Sequence, residues 1–351
     1  MTLKRITDFN IRVEPGISIR SADETIQETL VTGSIYTEPF ELPIDRESVH
    51  LDRCLETIEH LTALRDSIKR YGLTRSLISF ADYNKALSDN IKAIPALESL
   101  TADKSVKNST DAIAALEAGI VDHVDLFIRK LKARAKNFIA RIFSNIEKLD
   151  SNILHIKTMR TMLDEGRVID SNQAKTKKFR LLNRKELFYY FGLAAKEADF
   201  SAKLASLKLP DSEAEYKKWM TTISKEFNAI DPDSDTGFSL NEYGRLELKI
   251  GSQPEVGYNT LDGAGYTLDD FDPIAAEFPK TEKFLKGFRQ DLSRIAGLLN
   301  MSHNDPTMIY IHKAANLSYD IIWSLAVAAS WNTSVAGLNV LRGIFACSVK
   351  K

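Results

Sequence analysis

The sequence predicts a mainly α protein: an elongated helical bundle around one very long amphipathic helix, with a small loop-rich β insertion near 231–271. From Ala112 to Leu163, apolar residues recur every three or four positions with no intervening proline, the period of one face of an α-helix. Shorter stripes of the same period run through 46–71, 186–207, 212–228 and 279–300. Between 231 and 271 that period is lost. Gly, Asp and Tyr rise, and Leu246, Leu248 and Ile250 alternate, which reads as strand.

The long stripe comprises Ile113, Leu116, Ile120, Val124, Phe127, Leu131, Ala135, Phe138, Ile142, Ile146, Leu149, Ile153, Ile156, Met159 and Leu163. At 1.5 Å rise per residue an unbroken helix of this length spans about 75 Å. Val121, Ile128, Ile139 and Phe143 widen the stripe beyond a two-position seam, so the helix should be a spine for other helices and not a lone coiled-coil rod. Its outer face is basic, with Arg129, Lys130, Lys132, Arg134, Lys136 and Arg141.

The other elements follow in order. Residues 1–45 form an extended arm or small hairpin, in which Phe9, Ile11 and Val13 alternate before Pro15-Gly16. Residues 46–97 form a helical hairpin. Its first helix carries Leu51, Leu55, Ile58, Leu61, Leu64 and Ile68 and stops at Tyr71-Gly72-Leu73, a glycine C-cap. Its second helix starts near Ser76 and is ended by Pro95. Residues 98–111 are a polar linker, and 112–230 hold the long helix and its packing helices.

Within that unit, 170–185 reads as a basic connector. A helix with Leu187, Tyr190, Phe191 and Ala194 on one face follows, then Leu209-Pro210. Ser212 and Glu215 suit a capping box for a helix with Trp219, Ile223 and Phe227 inside. Residues 231–278 are a Gly/Asp-rich insertion with a minor sheet, and 279–351 are C-terminal helices. There Phe284, Phe288, Leu292, Ile295 and Leu299 share a face. The last stretch, opened by Pro306, is apolar on more than one face and so belongs inside a bundle.

The composition of the 351 residues, 44% apolar and 27% charged with net charge −1, suits a globular chain. Charge is informative only by position. Residues 1–100 hold 12 Lys and Arg against 16 Asp and Glu, 121–190 hold 16 against 8, and 231–280 hold 3 against 11. Cys54 and Cys347 lie on apolar faces far apart, which predicts buried reduced thiols and a reducing compartment. The N-terminus has no apolar signal segment. The most apolar window, Ile321–Ala329, is short of the ~20 residues a membrane span needs, so no membrane is expected.

Catalytic and metal-binding patterns find little purchase. Asp231, Asp233, Asp235 and Glu242 occupy positions 1, 3, 5 and 12 of a calcium loop, but Gly237 stands at position 7 where the turn needs glycine at 6. An acidic surface turn is the better reading. The histidines have no ligand spacing, and Gly263-Ala264-Gly265 is followed by no P-loop lysine. No cofactor and no enzymatic activity are expected. The candidate DNA contacts are Lys175, Lys177, Lys178, Arg180, Arg184 and Lys185, joined by Arg129, Lys130 and Arg134 of the long helix. Such contacts would be to phosphate and salt-sensitive.

The order of parts resembles a known family. A helical segment (RESVHLDRCLETIEHLTALRDSIKRYGL), a polar joint ending in PALESL, and the long helix (DAIAALEAGIVDHVDLFIRKLKARAKNFIARIFSNIEKLDSNI) are similar to internal head (inner capsid) proteins of large tailed bacteriophages. The similarity is strongest over residues 45–165. It implies a non-enzymatic virion protein packaged inside the capsid with double-stranded DNA, made in the host cytoplasm, and touching capsid or other internal proteins. It also implies trimming by a phage maturation protease after a small-x-Glu triplet. Ala96-Leu97-Glu98 fits at the joint, so Glu98 is the candidate cleavage point and 46–97 a candidate propeptide. The alternative is a helical interaction module, a bacterial effector or adaptor, that binds a partner through the long helix.

Overall fold

The computed structural model describes residues 46–74, 109–164, 166–230, 237–240, 246–249, 257–301 and 309–350. The arm at 1–45, the second helix with Pro95, Glu98, the acidic loop residues Asp231, Asp233, Asp235 and Glu242, and Pro306 lie outside them. The described chain is mainly helical, with short strands.

Helix α1, Arg46–Tyr71, buries Leu51, Ile58, Leu61, Leu64 and Ile68. It ends as the sequence predicts: Gly72, at φ +73°, donates its N–H to the Ile68 carbonyl at 2.9 Å. Glycine has no Cβ to clash in that left-handed conformation. The next N–H, of Leu73, donates to Ser109 Oγ at 2.9 Å, tying the end of α1 to the start of α2, Ser109–Asp164.

Along α2 the buried side chains include Leu116, Ile120, Val124, Phe127, Leu131, Phe138, Ile142, Leu149 and Met159, at helical spacing. Each buried large apolar side chain contributes about 1.5–3 kcal/mol, and it is this packing that holds a helix in water. Of the residues expected to widen the stripe, Ile128 is buried and Ile139 half-buried, whereas Val121 and Phe143 are exposed. Gly166, at φ +86°, turns the chain after α2.

Strand β1, Arg167–Ile169, pairs antiparallel with the C-terminal strand β6, Ser348–Lys350, in the register Val168↔Val349. Residues 170–185 are then more than a basic connector. Asp170 accepts from the N–H groups of Asn172 at 2.8 Å and Gln173 at 3.3 Å, capping α3, Ser171–Thr176. Strand β2, Lys178–Leu181, follows.

Helix α4, Arg184–Ser206, is capped by Asn183, and α5, Glu213–Asn228, by Ser212. Trp219, Ile223 and Phe227 are its buried face. The reciprocal half of the predicted box is displaced by one residue, since Glu215 accepts from the Asp211 N–H at 3.3 Å. In the insertion, β3 (Gly237–Leu240) and β4 (Leu246–Lys249) form an antiparallel pair. Strand β5, Gly257–Thr260, leaves them and pairs with β2.

After α6, Phe271–Ala275, comes α7, Glu277–Met301, which packs on α2, α4 and α8, the helix Ile309–Trp331. Phe278, Leu285, Phe288, Leu292 and Ile295 are its inner face. The last apolar stretch is interrupted by a π turn at Asn332–Gly337 before α9, Leu338–Ala346. The helix widens where Thr333 Oγ1 meets Thr281 Oγ1 at 2.7 Å and where a Cβ on Gly337 would lie 3.3 Å from Phe191. Residues Ile309–Ala346 are long and apolar enough to cross a membrane, and 72% of their most apolar window is buried against the other helices.

Cys54 and Cys347 are buried and unpaired. Burial pushes both thiols up, Cys347 to about 11. Covered and un-ionised thiols do not attack disulfides. Neither cysteine should therefore react with an aromatic disulfide reagent in the native protein near neutral pH, and both should react in guanidinium. A thiol that titrates before unfolding would refute this.

Candidate nucleic-acid interface

The predicted cations converge on the β2–β5 ribbon and separate along α2. The ribbon register is Lys178↔Thr260, Phe179↔Asn259, Arg180↔Tyr258 and Leu181↔Gly257. Alternate residues of a strand face opposite sides. Phe179 and Leu181 point to the core, where Leu181 is buried and Phe179 packs against it. Gly343 of α9 permits this approach: a Cβ there would lie 3.3 Å from Leu261 and 3.5 Å from Phe179. Lys178 and Arg180 consequently take the outer face, together with Tyr258 and Thr260.

On that face Lys178 is exposed, Tyr258 is 70% exposed, and the Arg180 guanidinium lies 6.0 Å from the Tyr258 ring centre. Lys175 is exposed on α3. The Ala174 carbonyl beside it accepts from Asp262 N–H at 3.2 Å, which fixes α3 against the turn after β5. In that turn Gly265 has φ +81°, and Ala264 O accepts from Arg184 N–H at 3.0 Å. The ribbon is thereby anchored to the start of α4, where Lys185 is also exposed.

Two other members of the cluster have structural partners. Lys177 Nζ donates to Ala346 O at 3.1 Å, at the C-terminal end of α9, where a cation meets the unpaired carbonyls and the negative end of the helix dipole. Arg184 Nε donates to Asp270 Oδ1 at 2.7 Å. Asp270, 3% exposed, in turn accepts from Thr267 N–H at 2.9 Å. Desolvation and the Asp270 charge push the nearby Tyr266 phenol up, so it stays neutral.

Along α2, Arg129 is exposed and Lys130 half-buried. Arg134 is the correction. Expected on the outer basic face, it is 2% exposed. Its guanidinium donates to Asn316 Oδ1 at 2.6 Å and pairs with Asp320, both on α8. It also lies 5.0 Å from the Phe138 ring centre, and Phe138 stacks on Trp323 at 4.7 Å. Arg134 therefore cannot reach a phosphate. The spacing does contain the signal, because Arg134 stands three residues after Leu131 and four before Phe138, which is within the apolar stripe.

Elsewhere, an open groove of about 360 Å³ lies between the C-terminal part of α2 and α6–α7, with Ile153, Ile156, Phe271 and Pro279 on its walls. At its rim Arg160 pairs with Asp164 at 3.1 Å and Asp272 at 2.9 Å. Among the described residues no group of three or more His, Cys, Asp or Glu could hold a metal ion. His312 is buried, edge-on to Phe127. Comparison with protein-family models, with curated proteins and with solved structures finds nothing that matches this chain.

Proposed function

We propose that the chain is a non-enzymatic structural protein of a tailed-phage virion, held inside the head beside the genome. The family resemblance over residues 45–165 suggests that setting. The observation that supports contact with packaged DNA is the basic edge, where the exposed Lys175, Lys178 and Lys185 and the half-buried Arg180 are held on elements tied to one another by backbone hydrogen bonds. Cations held this way attract a polyanion without reading its sequence.

The test is mass spectrometry of purified particles, with and without external protease before the heads are opened. The expected result is a chain present in the particles, protected until opening, and lacking peptides from 1–98 if the maturation protease cuts after Glu98. Absence from particles would overturn the proposal, and intact residues 1–98 would overturn the cleavage.

A second reading, a helical interaction module of the effector or adaptor kind, has one observation in its favour. Val121, Leu126, Phe143 and Leu154 of α2 are exposed, Leu154 by 67%. Apolar residues on a helix surface are what a partner helix would cover.

A further inference from the structure

We infer that the outer face of the β2–β5 ribbon is a platform for single-stranded nucleic acid, on which Tyr258 stacks one base while Lys178 and Arg180 hold neighbouring phosphates. This goes beyond the reading above, in which the packaged DNA is a duplex, and rests on it only for the presence of nucleic acid at this edge.

Lys178, Arg180, Tyr258 and Thr260 occupy one face of two paired strands. Along a strand, same-face residues are about 6.6–6.8 Å apart, and directly opposed residues about 4.5–5.5 Å. Two cations, one aromatic ring and one hydroxyl thus share a patch with no acid among them. In chain order the acids flanking β5 are Glu255, two residues before Gly257, and Asp262, in the turn beyond Thr260.

The aromatic ring decides the strand form. Tyr258 is 70% exposed, with the Arg180 guanidinium on one side of its ring, so among the described residues most of the ring is left to a flat partner. An unpaired base offers such a face, and base–aromatic stacking tolerates any sequence. Bases within a duplex are already stacked and would leave Tyr258 with only backbone to touch. The patch is also held in place, since Phe179 and Leu181 are anchored in the core behind it and Arg184 and Ala174 tie down the turn.

The experiment measures binding of the full-length protein to a fluorescent oligothymidine and to a mixed-sequence duplex of equal length, across a salt series. The single strand should bind more tightly. Tyr258→Leu should weaken single-strand binding by roughly tenfold with an unchanged salt slope, while Tyr258→Phe keeps it. Lys178→Ala should lower the single-strand slope by about 0.7, the loss of one phosphate contact. Thermal midpoints of all three variants should match the parent, because the altered side chains are exposed.

Equal or tighter duplex binding, or a Tyr258→Leu variant that binds the single strand as the parent does, overturns the inference. If that duplex binding is still salt-sensitive and weakened by Lys178→Ala, genome contact at this edge stands without it. Binding to neither probe overturns both, while the location of the protein in the particle is decided separately by mass spectrometry.

Discussion

Asp320→Ala is expected to destabilise the protein by about 3 kcal/mol, the lower end of what removing one partner of a buried ion pair costs. The loss is set by what remains. Arg134, 2% exposed, keeps its hydrogen bond to Asn316 and its place against Phe138, but its buried charge would lose the Asp320 carboxylate that pairs with it. The lower end applies because the Asp320 side chain is 33% exposed, so solvent already weakens the pair and can enter when the carboxylate is gone.

The companion variant separates that explanation from simple loss of packing. With Arg134→Leu added to Asp320→Ala, the buried guanidinium is removed along with its carboxylate and most of the stability should return, since apolar replacement of a whole buried pair is often neutral or better. Urea denaturation midpoints at unchanged m-value check both outcomes. A single variant within about 0.5 kcal/mol of the parent, the range of ordinary surface substitutions, would mean that Arg134 is not held by Asp320.

Phe288→Ala should cost about 3–5 kcal/mol, the range for truncating a buried aromatic residue. Phe288 is 1% exposed on α7, the helix that contacts α2, α4 and α8. The cavity would open where several helices meet and where none can close it without leaving another. Phe288→Leu, which fills more of the space, should cost distinctly less. Phe284→Ala, at a half-buried position on the same helix, should also cost less. Equal losses at Phe284 and Phe288 in thermal or urea unfolding would show that α7 is not the packing centre.

How far the candidate site could be read in advance differs from residue to residue. That Lys175, Lys178, Arg180 and Lys185 form a cationic cluster is plain from chain proximity. Tyr258 has no such signal, because it joins the cluster only through a strand pairing between distant segments. Lys177 and Arg184 look identical to their neighbours in sequence, yet the carbonyl of Ala346 and the carboxylate of Asp270 claim them. Arg134 belongs by charge to a basic run and by spacing to the apolar stripe, and its burial follows the spacing.

The sequence by itself determined what depends on near neighbours along the chain. The mainly helical character, the C-cap at Gly72 and the N-cap at Ser212 rest on bonds that span a few residues and on a periodicity visible within a short window. The tertiary structure alone decided what depends on distant partners. It pairs β2 with β5 and β1 with β6, and it sets α8 over Arg134 so that a surface charge becomes a core one. Strands find their hydrogen bonds across the fold, and a charged side chain is exposed or buried according to which helix lies over it. Neither fact is encoded in local spacing.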